Sequence, residues 1–411
     1  MNRPLALIYL TGATSIGIGS QEGGSSWGDD HVTTLRGATP RNRLKDVALE
    51  ILTKADIELD GPRPSDLQVH DDRFYAQVLR DRELGLGETY QLGWWSAGSV
   101  DEFLAKVLAA DLKSLVKPSP QLLAVALKAK LFNRQSFRRA ADNASAHYDI
   151  GNDLYEHMLD KRMIYSCGYW QGVDDLDSAQ EAKLDLICAK LHLEPGMHLL
   201  DIGCGWGGLA QYAAENYGVR VTGISPAIEQ VRVATKRCAG LDVEIKQLDF
   251  RQATGTFDRI VSVGMLEHVG PKNYKPFFER NYELLADEGM ILHHTIGSNM
   301  TKDHTDAWFD KYIFPGGVIP SMEYLGRASQ IDWALEDVHN LGTDYDRTLM
   351  AWYHRVEEAW EYLPTYGEHF RRTWCYYLLS SAASFRVRQL QLWQLVFTKA
   401  RRYSGVYQAV R

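Results

Sequence analysis

The sequence predicts an α/β protein: a doubly wound parallel sheet preceded by a smaller helical N-terminal domain. Three observations predict it. From about Glu194, short apolar runs alternate with amphipathic stretches at the spacing of strand–helix–strand units. The first run ends on a glycine-rich turn, Asp201 to Gly208, that opens a helix. Between residues 41 and 150, by contrast, the apolar positions recur at helical spacing.

Residues 1–40 are rich in Gly, Ser and Thr without a period, and are expected to be disordered. Their opening, MNRPLALIYLTGATSIGIGS, has a short apolar run broken by Thr and Gly and no good cleavage site, so it is not expected to direct secretion. The helical domain, 41–150, begins with RNRLKDVALEILTKADI, in which Leu44, Val47, Ile51 and Leu52 share a face. GPRPSD breaks the chain, and VDEFLAKVLAADLKSLV and QLLAVALKAKLFNRQSFRRA continue as amphipathic helices. In the third part, 151–411, MHLLDIG, VRVTGIS, DVEIKQLDF, FDRIVSVGML and MILHHTI read as strands. The helices between them include WGGLAQYAAENYG, stopped by Gly218, and AIEQVRVATKRCAG, ending at Gly240. Residues 298–350 are expected to be an irregular insertion, and two apolar-aromatic helices to close the chain.

The 411 residues carry a net charge of −8, with 45% hydrophobic and 24% charged residues, the balance of a globular protein. No uninterrupted apolar window approaches the length needed to span a bilayer. The five cysteines are odd in number and never spaced C-x-x-C, which argues against a disulfide framework or a zinc knuckle and for a reducing, cytoplasmic setting. Charge is unevenly placed: 113–139 holds seven basic residues and 371–411 eight, neither with an acidic one. Such tracts suit anionic lipid, although two solvated helix faces neutralised from elsewhere explain charge alone at least as well. Nothing in the motifs points to nucleic acid.

DIGCGWGG matches G-x-G-x-x-G through Gly203, Gly205 and Gly208, the pattern of a nucleotide-type site at a helix N-terminus. A dinucleotide site would place an acidic residue about twenty residues on, where Ser225 and Gln230 stand instead. Asp201, two residues before the first glycine, favours S-adenosylmethionine, because a carboxylate there can orient water and the methionine ammonium group. Asp249, ending the third strand, could accept from the adenine amino group.

Together with HYDIGNDLYEHML, MIYSCGYW, DRIVSVGMLEHVGPKNY, HTIGS, KYIFPGG, DYDRTLMAWY and FRVRQLQLWQLVF, this loop makes the chain resemble the cyclopropane fatty acid synthases. These are S-adenosylmethionine-dependent methyltransferases acting on lipid acyl chains. The resemblance runs from about residue 41 to the C-terminus. It implies a Rossmann-like methyltransferase sheet, an N-terminal domain that engages lipid, peripheral contact with the membrane and a homodimer. It also implies cofactor contacts from Tyr165 and Ser166, from Asp201, Gly203 and Gly205, and from Ser225 and Gln230. Ala227 stands where the family usually has a serine, and Ala382 where it often has a cysteine. Finally, it implies a bicarbonate ion held by Cys167, Glu267, His294, the backbone of Ile296, and Tyr345.

The chemistry wants such a set. Methyl transfer to an alkene leaves a carbocation, so the walls must be dry and weakly nucleophilic, and a base must reach the new methyl group. An ion carrying an O–H needs an acceptor as well as donors, and Glu267 can be that acceptor. Without the resemblance, each residue has a plainer reading. Glu267 would cap the following helix, His294 would be a core histidine with His293 as its rival, and Cys167 would be an inert buried thiol. His268 is expected to be structural. On this reading the basic tract 113–139 touches phospholipid headgroups, and the unsaturated acyl chain of the same lipid is the substrate.

Overall fold

The structure, a computed structural model, describes residues 40–110, 151–330 and 332–411. The expected disorder of the first 39 residues and the basic tract 113–139 lie outside the described residues. Seven strands form one sheet: β1 (His198–Ile202), β2 (Arg220–Ser225), β3 (Val243–Gln247), β4 (Phe257–Val263), β5 (Leu285–Ser298), β6 (Trp333–Asn340) and β7 (Leu390–Lys399). Their order is β3-β2-β1-β4-β5-β7-β6. The first five are parallel, and β7 runs antiparallel between β5 and β6. The chain winds outward from β1 to β3, then returns to the other side of β1 as β4. The crevice above the carboxyl ends of β1 and β4 is therefore the switch point where such sheets bind ligands.

Two expectations are corrected here. The sheet is mixed rather than wholly parallel. The stretch 298–350 is no irregular insertion: it supplies β6, two short helices and the start of a long one. WALEDVHN escaped notice because β6 is a half-exposed edge strand without a continuous apolar run. The closing helices are present, as Gly342–Ala359 and Glu368–Arg386, but the chain then returns as β7. LQLWQLVF is buried between two neighbouring strands, and a short run that is apolar on both faces has no period to separate strand from helix.

The helices among the described residues are α1 (Pro40–Lys54), α2 (Arg73–Gln91), α3 (Val100–Ala109), α4 (Asn152–Met158), α5 (Leu176–Lys190), α6 (Gly208–Tyr217), α7 (Ile228–Arg237), α8 (Leu266–Val269), α9 (Tyr274–Leu284), α10 (Ala307–Tyr312), α11 (Met322–Ala328), α12 (Gly342–Ala359) and α13 (Glu368–Arg386), with short turns at Phe250–Gln252 and Trp360–Tyr362. Gly218 ends α6 in the left-handed region, at φ 65°, as its position in the sequence predicts. The N-terminal helices share one apolar core with α12 and α13. Phe74, Tyr90, Trp95 and Phe103 pack into the same cluster as Trp352, Trp374 and Tyr376. Each fully buried aromatic contributes roughly 3 kcal/mol of transfer free energy before entropy costs. The Gln91 amide donates to Thr373 Oγ1 at 2.7 Å, tying α2 to α13.

Most of the C-terminal basic tract is matched by carboxylates, several of these pairs standing exposed at the surface. Arg371 pairs with Glu357, Arg386 with Asp101 and Asp346, Lys399 and Arg402 with Asp287, Arg401 with Asp332, and Arg411 with Asp337. Among the described residues no helix is long and apolar enough to cross a membrane.

Candidate active site

A cleft opens at the switch point. Its walls include Tyr165, Ser166, Asp201, Gly203, Gly205, Ser225, Gln230 and Asp249, so the structure gathers all eight residues that the sequence assigns to a cofactor. The glycine loop hangs from the neighbouring strand, with the Gly203 and Cys204 N–H groups donating to the Ile224 carbonyl at 2.9 and 3.1 Å. Gly205 sits at φ 55° with open space where a Cβ would project. Gly208 serves a different purpose: a Cβ there would lie 2.7 Å from the Arg162 carbonyl oxygen and run into Ile164. Its bareness lets the segment carrying Tyr165 and Ser166 cross the loop. Trp206 then fastens the loop to α4, its indole N–H donating to Asn152 Oδ1 at 3.1 Å.

Around the cleft the polar groups hold one another. Ser225 Oγ donates to Gln230 Oε1 at 3.0 Å, and the Ala227 N–H donates to Ser225 Oγ at 3.2 Å. Where the family usually has a serine side chain, this chain offers Ala227 as a backbone donor. Asp249 caps the turn Phe250–Gln252 and pairs with Arg251 at 2.8 Å, so part of the carboxylate expected to meet adenine is already engaged. The Tyr165 hydroxyl meets that of Tyr377 at 2.8 Å. His268, expected to be structural, also lines the cleft, beside Phe314.

Asp201 is 2% exposed, and its Oδ2 has no hydrogen-bond partner among the described residues. Burial raises its pKa to about 7, opposed by the charge of Lys183. Lys183, on α5, was missed in the sequence. In EAKLDL it reads as a solvated helix position, yet it is 1% exposed and donates to Ser166 Oγ at 2.9 Å. Nothing short of the fold signals this.

The five residues assigned to an anion stand behind this wall rather than on it. Glu267 is the second residue of α8, and its carboxylate does not cap that helix. Oε1 reaches across to accept the Ile296 N–H at 2.6 Å, which sets aside the capping role. The Ile296 N–H is thus engaged by Glu267 in this structure. Glu267 Oε2 is buried without a hydrogen bond of normal geometry, although the Thr295 hydroxyl lies nearby. Burial raises the pKa of Glu267 to about 7.

His293 and His294 are resolved by the pleat, since adjacent strand residues face opposite sides. His293 sits among Phe277, Phe278 and Phe397. His294 faces the other way, its Nδ1 3.3 Å from the Gln394 amide nitrogen. With that amide donating, the ring proton lies on Nε2, a buried donor with no partner among the described residues. Burial, with Lys183 and Lys190 adding to it, holds the imidazole neutral. Tyr345, on α12, packs against Trp352 and Phe385. The Cys167 thiol is fully buried, donates to the Gly168 carbonyl at 3.1 Å, and is kept protonated by burial. Ala382 is buried in α13 and offers no reactive group. For an O–H-bearing anion, Glu267 Oε2 offers a buried acceptor and His294 Nε2 a buried donor, neither with a hydrogen-bond partner among the described residues.

A sheet of this order, one antiparallel strand inside it, and a glycine loop beside a buried acid define a Rossmann-like methyltransferase. The comparisons narrow that class. The family profile described as mycolic acid cyclopropane synthetase matches residues 135–395. The cyclopropane-fatty-acyl-phospholipid synthase of Escherichia coli K12 is 48% identical over 364 residues, covering 88% of this chain and 95% of its own. The tuberculostearic acid methyltransferase UfaA1 of Mycobacterium tuberculosis is 32% identical over 359 residues, 81% of this chain and 83% of its own. Among solved structures, mycolic acid cyclopropane synthase CmaA1 complexed with SAH and CTAB superposes with a TM-score of 0.59 at 31% identity, over 63% of this chain and 98% of that one. The chain belongs to the mycolic acid cyclopropane synthetase family.

Proposed function

We propose that this protein is an S-adenosylmethionine-dependent methyltransferase that places a methylene across a cis double bond of a phospholipid acyl chain, forming a cyclopropane ring. The observation that carries the reading is the switch-point cleft, lined by Tyr165 and Ser166 with Asp201 buried in its wall. The cofactor's methyl carbon leaves sulfur as a new bond forms to one alkene carbon, and positive charge develops on the other. Loss of a proton from the added methyl group closes the ring and leaves S-adenosylhomocysteine.

The chain's own residues shape those steps. Asp201 would meet the amino-acid end of the cofactor, with Ser225 and Gln230 among its further contacts. The rings of Tyr165, Tyr345, Tyr377 and Trp352 form a wall without strong nucleophiles, suited to a transient cation. Bicarbonate, when bound, would supply a small exchangeable base for the proton. Glu267 Oε2 would accept its hydroxyl and His294 Nε2–H would donate to it, with Tyr345 as a further donor. Cys167, a neutral thiol donating to the Gly168 carbonyl, serves packing in this scheme as much as binding.

The membrane contact through 113–139, the lipid-engaging N-terminal helices and a homodimer belong to the same proposal. Most cations of the C-terminal tract are already matched by carboxylates, which favours 113–139 as the cationic candidate. A thermal-shift assay tests the cofactor class. S-adenosylhomocysteine is expected to raise the melting temperature and NAD to leave it unchanged; a rise with NAD alone would overturn the reading.

A further inference from the structure

We propose that Lys183 is a positioning residue that fixes the Ser166 hydroxyl as a donor toward the carboxylate at the amino-acid end of the cofactor. The inference rests on the reading of the cleft given above and deepens it. An ammonium group has three donors and no acceptor, so in the 2.9 Å contact Lys183 donates and Ser166 Oγ accepts. The serine's own proton is thereby left to be donated elsewhere. Ser166 is 6% exposed and lines the cleft, so the open direction for that proton is the ligand.

The local structure holds this geometry. The Gln180 amide, one turn earlier on α5, donates to the Ser166 carbonyl at 2.8 Å. The helix therefore grips Ser166 by both backbone and side chain. Lys183 itself lines the cleft, is 1% exposed, and has no carboxylate within ion-pair distance among the described residues. Asp160, on the same side, spends its carboxylate on the Ile164 and Arg162 N–H groups. The charge of Lys183 is supported at longer range by Asp160 and Asp201, and through the Ser166 hydroxyl it is directed at the ligand cleft. The other cation lining the cleft, Arg251, is already paired with Asp249 at the opposite end.

Asp201 and the Lys183–Ser166 pair thus match the two charges of an amino-acid zwitterion, one for the ammonium group and one for the carboxylate. Burial lowers the pKa of Lys183 only to about 8, so it remains largely cationic at neutral pH.

The test is calorimetric titration of the full chain with S-adenosylhomocysteine and with its decarboxylated analogue, which keeps the ammonium group. Wild type is expected to prefer the carboxylate-bearing ligand by about tenfold or more, the worth of one hydrogen bond to a charged group. Lys183→Met, which keeps the stem and removes the donor, should bring that ratio close to one while leaving affinity for the analogue within about twofold. Ser166→Ala should do the same, and the double variant should lose no more than Ser166→Ala alone. Equal weakening of both ligands in Lys183→Met would reveal a merely structural lysine and overturn the inference. Should Lys183→Met fail to fold, Ser166→Ala decides: retained discrimination overturns it. Wild type that binds both ligands equally would refute this inference alone, whereas wild type that binds neither would refute the reading of the cleft and this inference with it.

Discussion

Glu267 carries the sharpest consequences at the scale of single residues. A carboxylate this buried costs stability when ionised, and the N–H groups of Ile296 and of Glu267 itself, with the Thr295 hydroxyl, offset only part of that. Its pKa rises from an ordinary 4.5 to about 7, so between those values the folded chain holds a proton that the unfolded chain releases. The stability this confers is fully present below the unfolded value and is lost as pH rises through about 7. Glu267→Gln keeps the acceptor for Ile296 and removes the charge. The variant is therefore expected to gain up to about 3 kcal/mol over wild type at pH 8, and nothing at pH 4, in urea unfolding. Turnover should fall by about 100-fold or more while S-adenosylhomocysteine binds within about twofold of wild type. Near-normal turnover would remove Glu267 from the chemistry. The sequence made Glu267 visible through its motif, but not its grip on Ile296, which depends on two segments 29 residues apart meeting across a sheet. Lys183 was not legible at all, because its burial comes from the packing of α5 against the sheet and not from its neighbours in sequence.

At the scale of elements, the glycine loop was readable because its constraints are local. A turn between strand and helix needs positive φ at Gly203 and Gly205, and the pattern records that need. Gly208 answers to a long-range demand, the crossing of the Tyr165–Ser166 segment. Gly208→Ala is expected to cost about 1–3 kcal/mol in denaturant unfolding and to weaken S-adenosylhomocysteine binding by about tenfold, because the displaced segment carries two contacts. Unchanged binding would show that the crossing does not position the site. The misread elements were those whose sequence lacked a period: β6, half-exposed at an edge, and β7, buried on both faces.

The whole molecule explains why the N-terminal helices matter to a site they do not line. Their aromatic core continues into α12 and α13, whose other residues, Tyr345 and Tyr377, stand beside Tyr165. The N-terminal helices, for which we propose a lipid contact, are thus braced on α12 and α13. With most C-terminal cations already paired, replacing Lys128, Lys130, Arg138 and Arg139 with neutral residues should weaken binding to anionic vesicles at low salt, and hardly at high salt. Binding that stays unchanged in a vesicle sedimentation assay would dismiss that tract. The central claim concerns the product. Vesicles of cis-monounsaturated phospholipid, incubated with the protein and methyl-labelled S-adenosylmethionine, should yield by mass spectrometry acyl chains heavier by one labelled methylene and lacking the olefinic signals. Cofactor binding without any such lipid product would contradict the account.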